Sequence, residues 1–261
     1  MTTHRLMFQG REIKISSEHC RQGGHGATGA PPLRRIAATA LLAAMIHPAP
    51  TQATPTGLNN IPTADTPADR EIVFQAFAVL GDERNTDWVL GFKGGLRPWN
   101  QRIEYGADGR VGEGSPTSLV LQLKYAIAFS DILDSDKNLP VMAAGVANAG
   151  VTGDIRDDVD QPIAYLVVTQ DFDWFRGTVG YQFQPENDAA FFGFDKTFEL
   201  FDRDFQFRTD FIQIDDEDQW LGSAGFIYSI HEHFAFESWV SVPFEHGEPF
   251  FIMKINLIFS F

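Results

Sequence analysis

Three groups of residues in this sequence could do chemistry. His231-Glu232-His233 sets two imidazoles at i and i+2, which on a strand share one side, as a zinc site could use. The triplet falls where a tight turn is expected between two strand-like runs. Beyond residue 53 the chain holds one further histidine, His246, and no cysteine. A polar hairpin turn is the better account, and no metal or other cofactor is expected. Asp134-Ser135-Asp136-Lys137-Asn138 opens like a calcium loop. Leu139 then stands where that loop needs Gly, and Gly145 where it needs a bidentate Glu. Asp154, Asp157, Asp158 and Asp160, or the run over 215–218, could bind calcium only loosely.

The third group is six charged residues: Lys124, Arg176, Arg208, Asp210, Glu237 and Lys254. Asp210 and Glu237 could serve as general acid or base, but pairing with Arg208 or Lys254 is the simpler role. Downstream of residue 53 few Ser lie near a His, and there is no G-x-S-x-G elbow and no phosphate-cradling glycine loop. No catalytic residue is assigned, and the chain is not expected to be an enzyme.

What positions these six residues is a set of strands. In residues 118–129, Leu119, Leu121, Leu123, Tyr125, Ile127 and Phe129 alternate with Val120, Gln122, Lys124, Ala126 and Ala128. A period of two marks a strand with two unlike faces. Residues 174–184 and 205–212 repeat the pattern, placing Arg176, and then Arg208 with Asp210, opposite an aromatic face. The last residues do the same: Met253, Ile255, Leu257, Phe259 and Phe261 against Lys254, Asn256, Ile258 and Ser260. Further candidates span 71–80, 88–93, 101–105, 141–148, 163–171, 190–200, 220–230 and 233–244, separated by turn clusters. That makes twelve, with ten equally acceptable, and an even number suits a closed antiparallel barrel.

The polarity of the faces suggests which side meets what. The apolar face is rich in aromatics near strand ends (Tyr125, Phe129, Phe175, Tyr181, Phe183, Phe205, Phe244), and 24 of the 261 residues are Phe. The other face mixes Gln, Ser, Thr, Gly and Ala with charges of both signs, unlike an ordinary solvated surface. Such a pattern suits lipid outside and a narrow, side-chain-filled lumen inside. The expected fold is an all-β, antiparallel up-and-down transmembrane β-barrel of 10–12 strands over residues 71–261, monomeric or weakly oligomeric. The competing class is a soluble periplasmic barrel that binds an apolar ligand, with the aromatic face turned inward.

The N-terminal part fits export. An eleven-residue apolar core at 36–46 follows Arg34-Arg35 and leads to a small-x-Ala site ending at Ala53, the features of a secretory signal peptide. Residues 1–53 are expected to be an N-terminal extension plus this cleaved peptide, with the true start downstream of Met1. Residues 54–70 form an extended segment leading into the first strand. The removed part carries six of the 20 basic and two of the 35 acidic residues, leaving 14 against 33 and a net charge of −19. Such acidity excludes nucleic acid as a partner. Cys20 leaves with the extension, so thiol and disulfide chemistry go with it.

Two stretches resemble the YjbH-like outer-membrane proteins: GLNNIPTAD (57–65) with DWVLGFKGGLRPWNQRIEYGADGR (87–110), and AAFFGFDKTF with FQFRTDFIQID (189–215). The resemblance covers about half of the exported chain, which is shorter than those proteins. It implies an outer-membrane barrel tied to exopolysaccharide production or export. The terminal strand likewise resembles the C-terminal signal of bacterial outer-membrane barrels, with Ile255, Leu257, Phe259 and Phe261 read by the barrel-assembly machinery. The expected location is therefore the outer membrane of a Gram-negative bacterium, and the expected function a small pore or an envelope scaffold. Its partners would be membrane lipid, the assembly machinery and a polysaccharide. Deleting Phe261 should lower the yield of assembled protein and expose the remainder to degradation, as followed by blotting; an unchanged yield would favour the soluble class.

Overall fold

The computed structural model describes residues 4–8, 11–15, 55–80, 87–111, 119–134, 138–152, 162–184, 188–214, 219–244 and 247–261. The apolar core at 36–46, Cys20, Asp136, the aspartates at 154–160, the run over 215–218 and His246 lie outside them. Near the N-terminus, β1 (His4–Phe8) and β2 (Arg11–Ile15) form a hairpin.

Twelve further strands follow: β3 (Glu71–Leu80), β4 (Asp87–Leu96), β5 (Arg102–Val111), β6 (Leu119–Ala128), β7 (Val141–Thr152) and β8 (Ile163–Asp171). Then come β9 (Arg176–Phe183), β10 (Ala189–Leu200), β11 (Arg203–Gln213), β12 (Trp220–His231), β13 (Phe234–Pro243) and β14 (Phe250–Ser260). Each pairs antiparallel with the strand before and after it, and β14 pairs with β3 from Phe251↔Leu80 to Ser260↔Glu71, closing the barrel. The strand number, open between ten and twelve in the sequence, is twelve. Closure leaves no sheet edge, the condition under which a sheet can cross a bilayer.

Several boundaries differ from those expected. Gly94-Gly95 does not end β4, because the ladder continues through both residues (Gly94↔Tyr105, Gly95↔Glu104). The Ala107-Asp108-Gly109 stretch is strand rather than turn, since β5 needs that length to match β4 and β6. Within the acidic loop after β6 sits a one-turn helix, α1 (Phe129–Leu133). The two-residue turn Phe201-Asp202 has positive φ at both positions, the twist that suits a tight hairpin.

The direction of the side chains decides between the two barrel classes. In β6, Leu119, Leu121, Leu123 and Tyr125 are exposed, while Val120, Gln122, Lys124, Ala126 and Ala128 are buried. In β14, Phe251, Met253, Ile255, Leu257 and Phe259 are exposed, while Ile252, Lys254 and Asn256 are buried. Leu123 is 57% exposed and its neighbour Lys124 is 1% exposed, the reverse of what water imposes. Aromatic rings also meet across the outer face, as in Phe205–Phe226 at 5.2 Å and Phe74–Phe259 at 5.9 Å. A soluble monomer rarely exposes a contiguous apolar patch above a few hundred Å², so a belt around the whole barrel calls for an apolar solvent. The soluble alternative needs the aromatic face inward, and here it is outward.

Leu123→Arg, at the middle of β6, should therefore cost about 2–4 kcal/mol in a bilayer, where an arginine at mid-depth faces lipid. Equilibrium unfolding from phosphatidylcholine vesicles measures it; a loss near zero would mean that this face meets water.

Candidate functional site in the barrel lumen

The inner wall would be a poor structure on its own. Its strands bring many polar and charged side chains to a space largely shut off from water, where each unpaired group is costly. Residues 55–68, expected only to lead into the first strand, fold back into that space. Leu58 N donates to Ile61 O at 3.0 Å and Thr63 N to Thr56 O at 3.1 Å, closing a small loop with a Gly57–Pro62 bridge. Gly57 is required there, because a Cβ would lie 2.1 Å from the Ile61 carbonyl oxygen. On the wall, a Cβ on Gly193 would approach Leu58 Cδ1 to 2.6 Å, so that glycine makes room for the loop.

The loop has two characters. Leu58, Ile61 and Ala64 are buried against Ala126, Ala143, Tyr165, Phe191, Ile212 and Leu221 of the wall. Its backbone and polar side chains meet the charges. Lys124 Nζ spends its three donors on Thr56 O (2.8 Å), Asp65 O (2.7 Å) and Glu104 Oε2 (3.0 Å). Glu104 Oε1 in turn accepts from Thr56 N at 2.7 Å. Asp210 Oδ2 accepts from Asn59 N at 2.7 Å and Asn60 N at 3.2 Å. Asn60 donates to Ser223 and Ser241 and accepts from Trp239 Nε1 at 3.2 Å. Ala64 N donates to Thr169 Oγ1 at 3.0 Å.

The six charged residues singled out in the sequence all point into this lumen. Arg208 donates through Nη1 to Gly57 O (3.1 Å) and through Nη2 to Glu237 Oε2 (2.7 Å). Glu237 also accepts from Asn256 and lies 3.6 Å from Lys254 Nζ. Arg176 joins Asp65 of the loop (2.9 Å) to Asp195 of β10 (3.0 Å). Four of the six therefore touch the loop directly, and Glu237 and Lys254 reach it through Arg208. Residues not picked out beforehand complete the set: Lys93, Glu104, Asp108 and Asp195 are buried on the same wall, with Gln75 Nε2 donating to Asp108 at 2.7 Å. His231 and His233 sit at the β12–β13 turn, exposed, with ring centroids 5.6 Å apart. Among the described residues no three His, Cys, Asp or Glu side chains come together as a metal site would require.

Chemically, this is a lumen of fixed, mixed-sign charge whose cations and anions are held by a segment of the same chain. Two solved structures of the KdgM porin share this fold: one in complex with disordered oligogalacturonate and one of the porin alone. Each superposes with a TM-score of 0.52 at 9% identity, over 73% and 72% of this chain and 99% of the porin. No protein-family model matches the sequence, and no curated protein does.

Lys124→Met should cost about 3–5 kcal/mol, because it leaves Glu104 buried without its cation and strands two loop carbonyls. Arg102→Met, which removes an exposed 3.1 Å pair with Asp131, should cost less than about 1 kcal/mol. Urea unfolding in the same vesicles compares them; similar losses would mean that the loop does not occupy the lumen.

Proposed function

We propose that this chain is a porin-like β-barrel of the Gram-negative outer membrane, non-catalytic, and held shut by its own residues 55–65. One observation carries this reading: an apolar, aromatic outer wall surrounds a lumen lined by Lys93, Lys124, Arg176, Arg208 and Lys254 with Glu104, Asp108, Asp195, Asp210 and Glu237. A scaffold would need only the outer wall. A charged inner wall is what a solute pathway requires. The apolar core at 36–46 supports export as a signal peptide, and the strand ending at Phe261 supports folding by the barrel-assembly machinery.

A carbohydrate is the solute class this reading takes. KdgM is described in complex with oligogalacturonate. The GLNNIPTAD motif, whose likeness to YjbH-like proteins implies exopolysaccharide export, forms the luminal loop itself. The filled lumen favours a second reading, a sealed envelope scaffold, and one experiment separates the two. The protein should fractionate with the outer membrane and shift in gel mobility on boiling. In planar bilayers the whole chain should be nearly silent, whereas deletion of 55–65 should give stable unitary currents. In that deletion, Arg176→Glu with Arg208→Glu should shift selectivity towards cations. Silence of a correctly folded deletion variant would leave the scaffold; unchanged selectivity would remove these two arginines from the pathway.

A further inference from the structure

The luminal loop packs on only one of the two apolar surfaces inside the barrel. Leu58, Ile61 and Ala64 all belong to the cluster around Phe191. The other cluster comprises Phe77 and Val79 of β3, Val89 of β4, Trp239 of β13 and Ile252 of β14, with Phe250 packed against it. The loop adds no apolar side chain to it and meets it through the bond from Trp239 Nε1 to Asn60. A pathway for polar solutes gains nothing from such a surface, and a plug that packs elsewhere does not need it. Between loop and wall lies a cavity of about 160 Å³, lined on one side by residues 55–62 and on the other by Phe77, Val79, Trp239, Phe250 and Ile252. Arg208 Nε, on the same cavity, is a buried donor without a partner among the described residues. The pair with Glu237 draws this guanidinium towards β13, where Glu237 and Trp239 are inward neighbours. A buried donor left unmade is costly.

Size, charge and chemistry narrow what such a cavity takes. A volume below the ~300 Å³ of ordinary ligand pockets excludes an oligosaccharide while the loop is in place. An apolar cavity of ~150 Å³ holds one benzene ring. The charges nearby balance: Lys93, Lys124, Arg208 and Lys254 stand within electrostatic reach of Glu104, Asp108, Asp210 and Glu237. A charged ligand therefore finds no net opposite charge, and it would lose its hydration against an apolar wall. A neutral oxygen can accept from Arg208 Nε, and a flat ring suits a surface that bears Phe77, Trp239 and Phe250. We infer that this cavity is a binding site for a small, uncharged, one-ring aromatic alcohol of the phenol type. Its ring lies against the apolar cluster and its oxygen accepts from Arg208. Because both loop and wall line the site, the bound molecule favours the closed arrangement over the open one. The inference rests on the loop occupying the lumen and deepens the channel reading by naming what holds it shut.

The test uses the full chain folded in detergent, with 5-fluorotryptophan at its five Trp positions and phenol as the probe. Trp239→Phe identifies the fluorine signal of Trp239, which lies inside the lumen and so does not report phenol dissolved in the micelle. Phenol should shift that signal saturably, whereas glucose and benzoate should not. Val79→Phe, which fills the cavity from β3, should weaken binding about tenfold or more, the size of a small misfit in an apolar pocket. Val242→Phe, the same change on the outward face of β13, should leave it unchanged. Arg208→Lys keeps the charge and loses Nε, so it should weaken phenol about fivefold, the worth of one hydrogen bond, and toluene less. Heat-dependent gel mobility confirms that each variant is folded. A Trp239 signal that phenol does not move, or moves equally in a folded Val79→Phe protein, overturns the site. A saturable shift with glucose or benzoate and none with phenol overturns the ligand class. A protein that conducts once 55–65 is deleted, yet whose full chain gives no Trp239 response to phenol, loses this inference and keeps the channel.

Discussion

The constraint on which the rest of this structure depends is the need to satisfy polar groups turned away from bulk water. A barrel with its apolar face outward must send its polar face inward, and with residues 55–65 in the lumen the charged side chains of the wall are largely buried. Residues 55–65 meet that need with the cheapest donors and acceptors available, their own backbone. Asp210 receives two loop amides, Lys124 two loop carbonyls, and Arg208 one more. Loop and wall are therefore mutually dependent. Neither the loop, which has no ladder of its own beyond the Gly57–Pro62 bridge, nor the charged wall would be well satisfied alone.

The same arrangement explains why the lumen can be both stable and able to change. Buried pairs such as Lys124–Glu104 and Arg208–Glu237 are costly to break singly, but they lie within the wall and would persist if the loop withdrew. What withdrawal would expose to entering water are carbonyl-facing cations and amide-facing carboxylates, groups that water or a polar solute can satisfy. The apolar part of the loop, Leu58, Ile61 and Ala64, opposes withdrawal, since those side chains leave a dry contact with Phe191 and its neighbours. Closure is thus a balance of apolar burial against hydration of the wall.

Much of the barrel was legible in the sequence because a strand writes its two faces in alternation. Leu119 to Ala128 and Phe250 to Ser260 could be read side by side, and the six charged residues fell on the inner face because each has an apolar or aromatic neighbour at i±1 on at least one side. Where alternation was diluted by small residues, the reading shortened. Lys93 and Asp108 were missed because glycines beside them resembled turns, and Asp195 because Phe191 to Lys196 carries aromatics on both faces. The loop was illegible for a deeper reason. A Pro-, Thr- and Asn-rich stretch has no periodicity, and its partners lie as far as 181 residues away. The one available signal was compositional: a GLNNIP segment has apolar residues that an exposed lead-in does not need.

Which face meets lipid is the claim from which the lumen, the loop and the channel all follow. The most direct test is spin labelling of single cysteines placed from 119 to 128 along β6, in a Cys20→Ser background and in lipid bilayers. Collision with oxygen, which partitions into the membrane, should be high at 119, 121, 123 and 125 and low at 120, 122, 124 and 126. The opposite phase, or no alternation at all, would contradict the account, because the aromatic face would then not be the one in contact with lipid.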